Sequence, residues 1–325
     1  MKRRHPRALV LLAAAALALA GAFAARAAAL TQTPNAPAAA HTLAPPKQST
    51  AAAAASSPPP PGPVQVLYAG SLIALMEHDL GPAFTKDAGV KFWGEGKGSQ
   101  ALANEIRGEL RRADVFISAS PEVNEQLMGV ENGDWLQWYA VFAASPLVIG
   151  YQPKSRFAAD FAGKPWYQVL LEPGIRIGRT DPQLDPKGMR TLELLAAAAT
   201  AYGRPELPRT LLAKRGGAVI FPETDLIGRL QSGQLDAGFL YETEAKERGI
   251  PYVKPASAVD PRAVYTVAIV RHAPHPAAAQ AFVRYLLSAA GRARLERHGL
   301  ESLPLEFRGD AQAVAKARSL LEATP

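Results

Sequence analysis

At four places in the sequence, small or polar residues close an apolar run and open a helical one. They are Tyr68-Ala69-Gly70-Ser71, the stretch from Gly94 to Ser99, the stretch from Arg179 to Pro186, and Phe221-Pro222-Glu223-Thr224. A helix start leaves backbone N–H groups unpaired and carries a partial positive charge, so anions settle there. Ser71 and Ser99 can each add a hydroxyl, and glycines at 70, 96 and 98 let the backbone come close to a ligand. Either serine alone also reads as an ordinary helix N-cap. Their pairing on consecutive junctions is what points to an anion. Asp185 before Pro186 reads locally as a common helix start, and Glu223 as an acid favoured at a helix N-terminus.

The segments between the junctions carry the periodicity that would position them. VQVLYA (64–69) reads as a strand, and Ser71 to Phe84 repeats apolar residues at helical spacing. VKFWGEG (90–96) and DVFISA (114–119) read as strands around a helix from Ser99 to Leu110. PLVIGYQ (146–152), IRIGRT (175–180), DAGFLY (236–241) and AVYTVAIV (263–270) read as further strands. Helices are predicted over 186–201, 223–231 and 276–287. Strands alternating with helices predict a parallel sheet covered on both faces. A folded part of this size needs more than one core, so two α/β lobes are expected. Anion sites in such sheets lie beyond the carboxyl ends of strands.

Composition narrows the function classes. The 325-residue chain opens with Lys2, Arg3, Arg4 and Arg7, then an uncharged apolar run over 8–24 and small-residue cleavage sites. That order predicts a secretory signal peptide over 1–27, with an uncleaved anchor as the alternative. Residues 28–63 are rich in Ala, Pro, Ser and Thr and lack alternation, so a disordered linker is expected. The net charge is +7, and without Lys2, Arg3, Arg4, Arg7 and Arg26 it is about +2. Nucleic-acid binding needs a clustered basic footprint, and this charge does not supply one. Cysteine is absent, which excludes disulfides and a cysteine-borne lipid.

Five segments, in order, resemble a known family. AGSL (69–72), GSQALANEI (98–106) and ADVFISAS (113–120) are similar to bacterial periplasmic molybdate-binding proteins. TDPQLDPKGMRTL (180–192) and PETDLIGRLQSGQLDAGFLYETEA (222–245) resemble the tungstate/molybdate branch best known from archaea. The resemblance runs from about Val64 to Leu300. It implies a two-lobe periplasmic binding protein of type II, with the ligand cleft between lobes joined by two crossing strands. It implies capture of molybdate or tungstate for an ABC permease, by a monomer with no resident cofactor and no catalysis. Carried over by residue, it makes Ser71 and Ser99 the oxyanion-binding serines and Tyr241 a donor to an oxo group. Asp185 and Glu223 become carboxylate ligands to the molybdenum or tungsten, with Asp181 as the fallback for the first. Lys187 departs from the pattern, which has a small residue, often Cys, after the Asp-Pro. The carboxylates matter physically. An ionised carboxylate about 4 Å from an anion costs roughly 4 kcal/mol at an effective dielectric near 20, so a site built only on hydrogen bonds should avoid them. A high-valent metal centre instead accepts hard oxygen donors, and two carboxylates would raise four oxo ligands to six.

Other candidates carry less. His272 and His275 form an HxxH after a strand, but Pro274 and Pro276 break any helix there, and a surface loop is expected rather than a zinc pair. Glu242 and Glu244 are expected to be solvated, and Arg179 and Arg190 to pair with carboxylates or neutralise the anion. Trp135, Trp138 and Tyr139 read as core or hinge packing. Ser71 lacks a GxSxG elbow and no histidine has a base context, which argues against a hydrolase. The alternatives are a binding protein for sulfate, phosphate or an organic acid, one feeding a sensor, and a secreted enzyme acting on a phosphorylated compound. Lobe one is expected over 64–144 and 270–307, and lobe two over 145–269. The crossings are expected near Ser145–Leu147 and Tyr265–Ala268, with 308–325 a terminal helix or tail.

Overall fold

The computed structural model describes residues 62–213, 216–256 and 261–322. The expected leader, and the linker up to residue 61, lie outside the described residues. The first five strands are β1 (Val64–Ala69), β2 (Phe92–Lys97), β3 (Val115–Ser118), β4 (Trp138–Tyr151) and β5 (Ile177–Arg179). The others are β6 (Val219–Ile220), β7 (Ala237–Tyr241), β8 (Tyr252–Val253), β9 (Arg262–Ile269) and β10 (Glu301–Gly309). β1 is apolar at every position but Gln65. Val66 and Tyr68 enter one core while Leu67 enters another on the opposite face. A strand buried on both faces belongs inside a sheet. β1 accordingly lies between β2 and β3, parallel to both.

Two sheets share one long strand. The first runs β2-β1-β3-β9-β4-β10, and the second β8-β4-β7-β5-β6. Over Ala140–Pro146, β4 pairs antiparallel with β9, and over Leu147–Tyr151 it pairs antiparallel with β7. The chain therefore passes from one lobe to the other between Pro146 and Leu147. The second crossing was expected at Tyr265–Ala268, but β9 pairs with β3 and β4 along its length, so 262–269 belongs to the first sheet. The return instead falls between Val253 and Arg262, a stretch that includes residues 257–260 outside the description. Alternation marks β9 as a strand but does not say which sheet it joins. Both sheets are mixed rather than all parallel, because the shared strand and β9 run antiparallel to their neighbours.

Helices cover the faces as their apolar stripes require. Leu102, Ala103 and Ile106 of the helix Ser99–Arg107 pack with Leu67, Phe116 and Tyr139 on one face of the first sheet. Phe282, Val283 and Leu286 of the helix Pro276–Leu287 pack with Phe84 and Val66 on the other. The run after Ser71 is not one helix. It passes through a 3-10 turn (Gly70–Leu72) and a π-helical segment (Met76–Leu80) before the α-helix Gly81–Ala88. Residues Ala311–Glu322 form the terminal helix. Among the described residues no helix is long and apolar enough to cross a membrane.

Parallel pairing fixes where the junctions point. β1 and β2 end on the same edge of the first sheet, with Ser71 and Ser99 just beyond them. β5, β6 and β7 run parallel in the second sheet. Their carboxyl ends lead to Thr180–Asp185, Glu223 and Tyr241.

Candidate ligand-binding site

The first lobe brings two buried hydroxyls. Ser71 lies in the tight turn after β1, and its Oγ is 2.9 Å from the Tyr265 hydroxyl. Ser99 opens its helix, and its Oγ accepts a hydrogen bond from the Ala119 N–H at 3.1 Å. That bond uses an oxygen lone pair and leaves the serine proton free to donate.

The second lobe brings two carboxyls and a phenol. Asp185 is the N-cap of the helix Pro186–Ala201, and its Oδ1 accepts from the Lys187 N–H at 2.9 Å. Its Oδ2 is buried without a partner. Glu223 opens the helix Glu223–Gln231, with Oε1 3.2 Å from the Lys187 ammonium and Oε2 buried without a partner. The hydroxyl of Tyr241, at the end of β7, is also buried without a partner, and the buried Thr180 hydroxyl lies beside the Asp185 carboxyl and favours its charged form.

The lobes meet at these atoms. The Ala101 N–H donates to the Leu184 carbonyl at 3.0 Å, one residue before Asp185. A Cβ on Gly70 would stand 2.3 Å from Glu223 Oε2, and one on Gly98 would stand 3.2 Å from the Asp185 Cβ. Ser71 thus sits beside the Glu223 side of the site and Ser99 beside the Asp185 side. Tyr241 lies between, its ring 5.4 Å from the Lys187 ammonium and 6.5 Å from the Tyr265 ring. All five residues singled out in the sequence are buried at this junction. A cavity of about 350 Å³ opens along Lys97, Gly98, Thr180, Asp185, Pro222 and Glu223. Asp181, the fallback ligand, lines the same cavity, but its Oδ1 accepts from the Gln183 N–H at 2.9 Å.

Burial dominates the electrostatics. It pushes the Glu223 carboxyl up to about 8, with the nearby Asp185 charge adding to the rise and Lys187 opposing it. Burial also raises Asp185 above the usual carboxylate range, against the pull of Lys187. Burial alone would lower the Lys187 ammonium, but Glu244, Glu223 and Asp185 outweigh it and hold the group charged. One ammonium cannot balance three buried carboxyls, so the Asp185–Glu223 pair retains a proton near neutral pH. The Tyr241 phenol is raised by burial and by Asp185, and it stays an O–H donor. No cluster of three or more His, Cys, Asp or Glu side chains among the described residues suits a bare metal cation. The arrangement offers something different: hydroxyl and amide donors for an anion, plus two single carboxylate oxygens.

The bacterial extracellular solute-binding protein family matches residues 64–301. The chain belongs to that family. A Haloferax volcanii relative, named as the molybdenum-binding protein of an ABC transporter, is 34% identical over 198 residues. That match covers 61% of each of the two chains, less than two thirds of the relative's length. The molybdate/tungstate-binding protein of Pyrococcus abyssi is 25% identical over 280 residues, covering 70% of this chain and 80% of that one. Among solved structures, the periplasmic molybdate-binding protein of Azotobacter vinelandii superposes with a TM-score of 0.59 at 21% identity. It is matched over 74% of this solute-binding protein and 99% of its own chain, a likeness of fold.

Sequence reasoning missed Glu244, Tyr265 and the Lys187 side chain at the candidate site, and the burial of Glu242. Glu244, expected in solvent, is buried: its Oε1 takes the Lys187 ammonium at 2.7 Å and its Oε2 accepts from the Tyr241 N–H at 2.8 Å. Only the acidic half of a capping box is present, the Glu244 carboxylate reaching back to the Tyr241 N–H, and without Ser, Thr, Asp or Asn at 241 the sequence carries no clear signal for it. Glu242 is also buried, held by Lys246, Lys254 and Tyr252. Tyr265 was expected at the second crossing and given no part in the site, and its hydroxyl meets Ser71. The Lys187 side chain, noted in the sequence only as a departure, is fully buried in the site. Arg190 pairs with Glu122 across the lobes and with Glu193 on its own helix. His275 pairs with the buried Asp114 rather than with His272.

Proposed function

We propose that this protein captures molybdate or tungstate outside the cytoplasm and delivers it to an ABC permease in the membrane. On this reading the N-terminal segment is the export signal, and the protein works as a monomer without a resident cofactor. Ser71, Ser99 and Tyr241 donate hydrogen bonds to oxo groups. Asp185 Oδ2 and Glu223 Oε2 bind the metal directly, completing six oxygens around it.

One observation carries the reading: two buried carboxyls, each with one oxygen satisfied and one without a partner, at a site otherwise lined with donors. Sulfate can use a carboxyl only while it is protonated and donates, and an ionised carboxylate oxygen repels it. A Mo(VI) or W(VI) centre is a Lewis acid that can accept one. The names of the relatives support the same ligand class.

The test is a calorimetric titration of ligand-stripped protein with tungstate, molybdate and sulfate, repeated on Glu223→Ala. Tungstate and molybdate should bind tightly and sulfate weakly. The variant should lose at least tenfold in tungstate affinity while sulfate binding holds or improves. Equal affinity for sulfate and tungstate in the unaltered protein would end the proposal.

A further inference from the structure

Lys187 touches both carboxyls of the site, by different atoms. Its main-chain N–H occupies Asp185 Oδ1 at 2.9 Å, and its ammonium lies 3.2 Å from Glu223 Oε1. The ammonium is held in turn by Glu244 Oε1 at 2.7 Å, and Glu244 is fixed through Oε2 by the Tyr241 N–H at 2.8 Å. The side chain has no exposed surface. The oxygens left over are Asp185 Oδ2 and Glu223 Oε2, one on each carboxyl.

We infer that Lys187 is a positioning residue that sets the denticity of the site. It ties up one oxygen of each carboxyl, so each acid offers the metal a single oxygen in a fixed place. This rests on the oxyanion reading above and deepens it. A small residue at position 187 would supply the main-chain half of this arrangement and not the ammonium. Glu223 would then keep both oxygens and lose the contact that aims it. The ammonium matters for selectivity more than for charge. Paired at 2.7 Å with Glu244, it adds little net field at the ligand, but it holds Glu223 where a metal centre can use it.

Removing Lys187 alone would leave Glu244 buried and unpaired, which by itself threatens folding. The informative variant is therefore Lys187→Met/Glu244→Gln, which removes both partners of the closest ion pair and keeps the net charge. Its folding is checked by thermal melting beside the unaltered protein. Tungstate and sulfate affinities are measured by calorimetry, and the bound tungsten by X-ray absorption. The unaltered protein should show four short W–O bonds and two longer ones. The double variant should lose the two-longer-bond pattern, its freed Glu223 either turning both oxygens on the metal or swinging away, and its tungstate-over-sulfate preference should fall at least tenfold. A residue that merely braced the fold would weaken both anions alike. Unchanged coordination and unchanged tungstate-over-sulfate preference in a folded double variant overturn the inference while leaving the ligand reading standing. Absence of tungstate binding in the unaltered protein removes both.

Discussion

Gly70 can be converted into a ruler for the site. An alanine there places its Cβ 2.3 Å from Glu223 Oε2 and 2.7 Å from the carboxyl carbon. A carbon approaches an oxygen comfortably at about 3.3 Å, so the unpartnered oxygen must retreat by roughly 1 Å. That retreat is twice the tolerance of about 0.5 Å within which a binding group must be held. The backbone itself accepts alanine, since Gly70 is not among the glycines held at positive φ. The obstructing atoms are also the end of a side chain that can swing, so Gly70→Ala should fold with a melting temperature close to that of the unaltered protein. Tungstate affinity should nevertheless fall by about 10- to 100-fold, or roughly 1.4–2.8 kcal/mol. Calorimetry gives the affinity and differential scanning fluorimetry the empty-state stability. A folded Gly70→Ala protein that binds tungstate as tightly as its parent would refute the placement of Glu223 Oε2 at the ligand.

Two further outcomes follow from the same geometry. Tyr241→Phe removes a buried hydroxyl that has no partner in the empty protein, so the melting temperature should hold or rise. Tungstate affinity should fall about tenfold or more, the worth of a hydrogen bond to a charged acceptor, and an unchanged affinity would take Tyr241 out of the site. Proton release supplies the pH test. The Glu223 carboxyl, pushed up to about 8, holds a proton at pH 7 in the empty protein, and a metal ligand must give it up. Below about pH 8 the empty state binds more protons than the loaded one. Tungstate affinity should therefore climb with pH, by at most tenfold per unit, and level off above 8. For folding the sign is opposite: the unfolded glutamate titrates at its ordinary 4.5, so between 4.5 and about 8 the folded empty state holds the extra proton. Its stability should decline as pH rises through that window. Identical binding enthalpies at pH 7 in Tris and in a piperazine sulfonate buffer would show that no proton leaves.

Most of the site was legible because it is built at strand-to-helix junctions, where local sequence and local structure agree. Asp185 before Pro186 and Glu223 after Pro222 begin helices as their residue types require, and the helices Pro186–Ala201 and Glu223–Gln231 run over the predicted residues. Long-range choices were not legible. Nothing in AVYTVAIV says that it pairs antiparallel with β3 and β4 in the first sheet, because alternation reports burial and not the neighbour. β10 escaped notice because ESLPLEFRG alternates weakly and carries a proline, and it forms only by pairing with β4. Glu244 and Lys187 hid for a related reason. Each looks like a surface residue in a one-dimensional reading, and each is buried only because the other is there, 2.7 Å away and 57 residues distant in sequence.

The same atoms explain how binding can be coupled to closure. In the closed arrangement Asp185 Oδ2, Glu223 Oε2 and the Tyr241 hydroxyl are buried without partners in hydrogen-bond geometry, and the Thr180 hydroxyl lies beside the Asp185 carboxyl. Each such group costs about 1–3 kcal/mol relative to its hydrated state. Three of them cost the empty closed state roughly 3–9 kcal/mol, which the apolar contacts between the lobes offset. Shifting a two-state equilibrium from 1:99 to 99:1 needs about 5.5 kcal/mol of preference, so a ligand that satisfies these atoms supplies a preference of the right order. A ligand closes the lobes only to the extent that it satisfies those atoms better than water does. Hydroxyl donors serve any oxyanion, and a protonated carboxyl can do the same, whereas two ionised carboxylate oxygens are satisfied only by a centre that can bond to them. On the proposed reading selectivity and closure are one property: an anion that leaves the carboxylates unanswered gains less from closing the lobes.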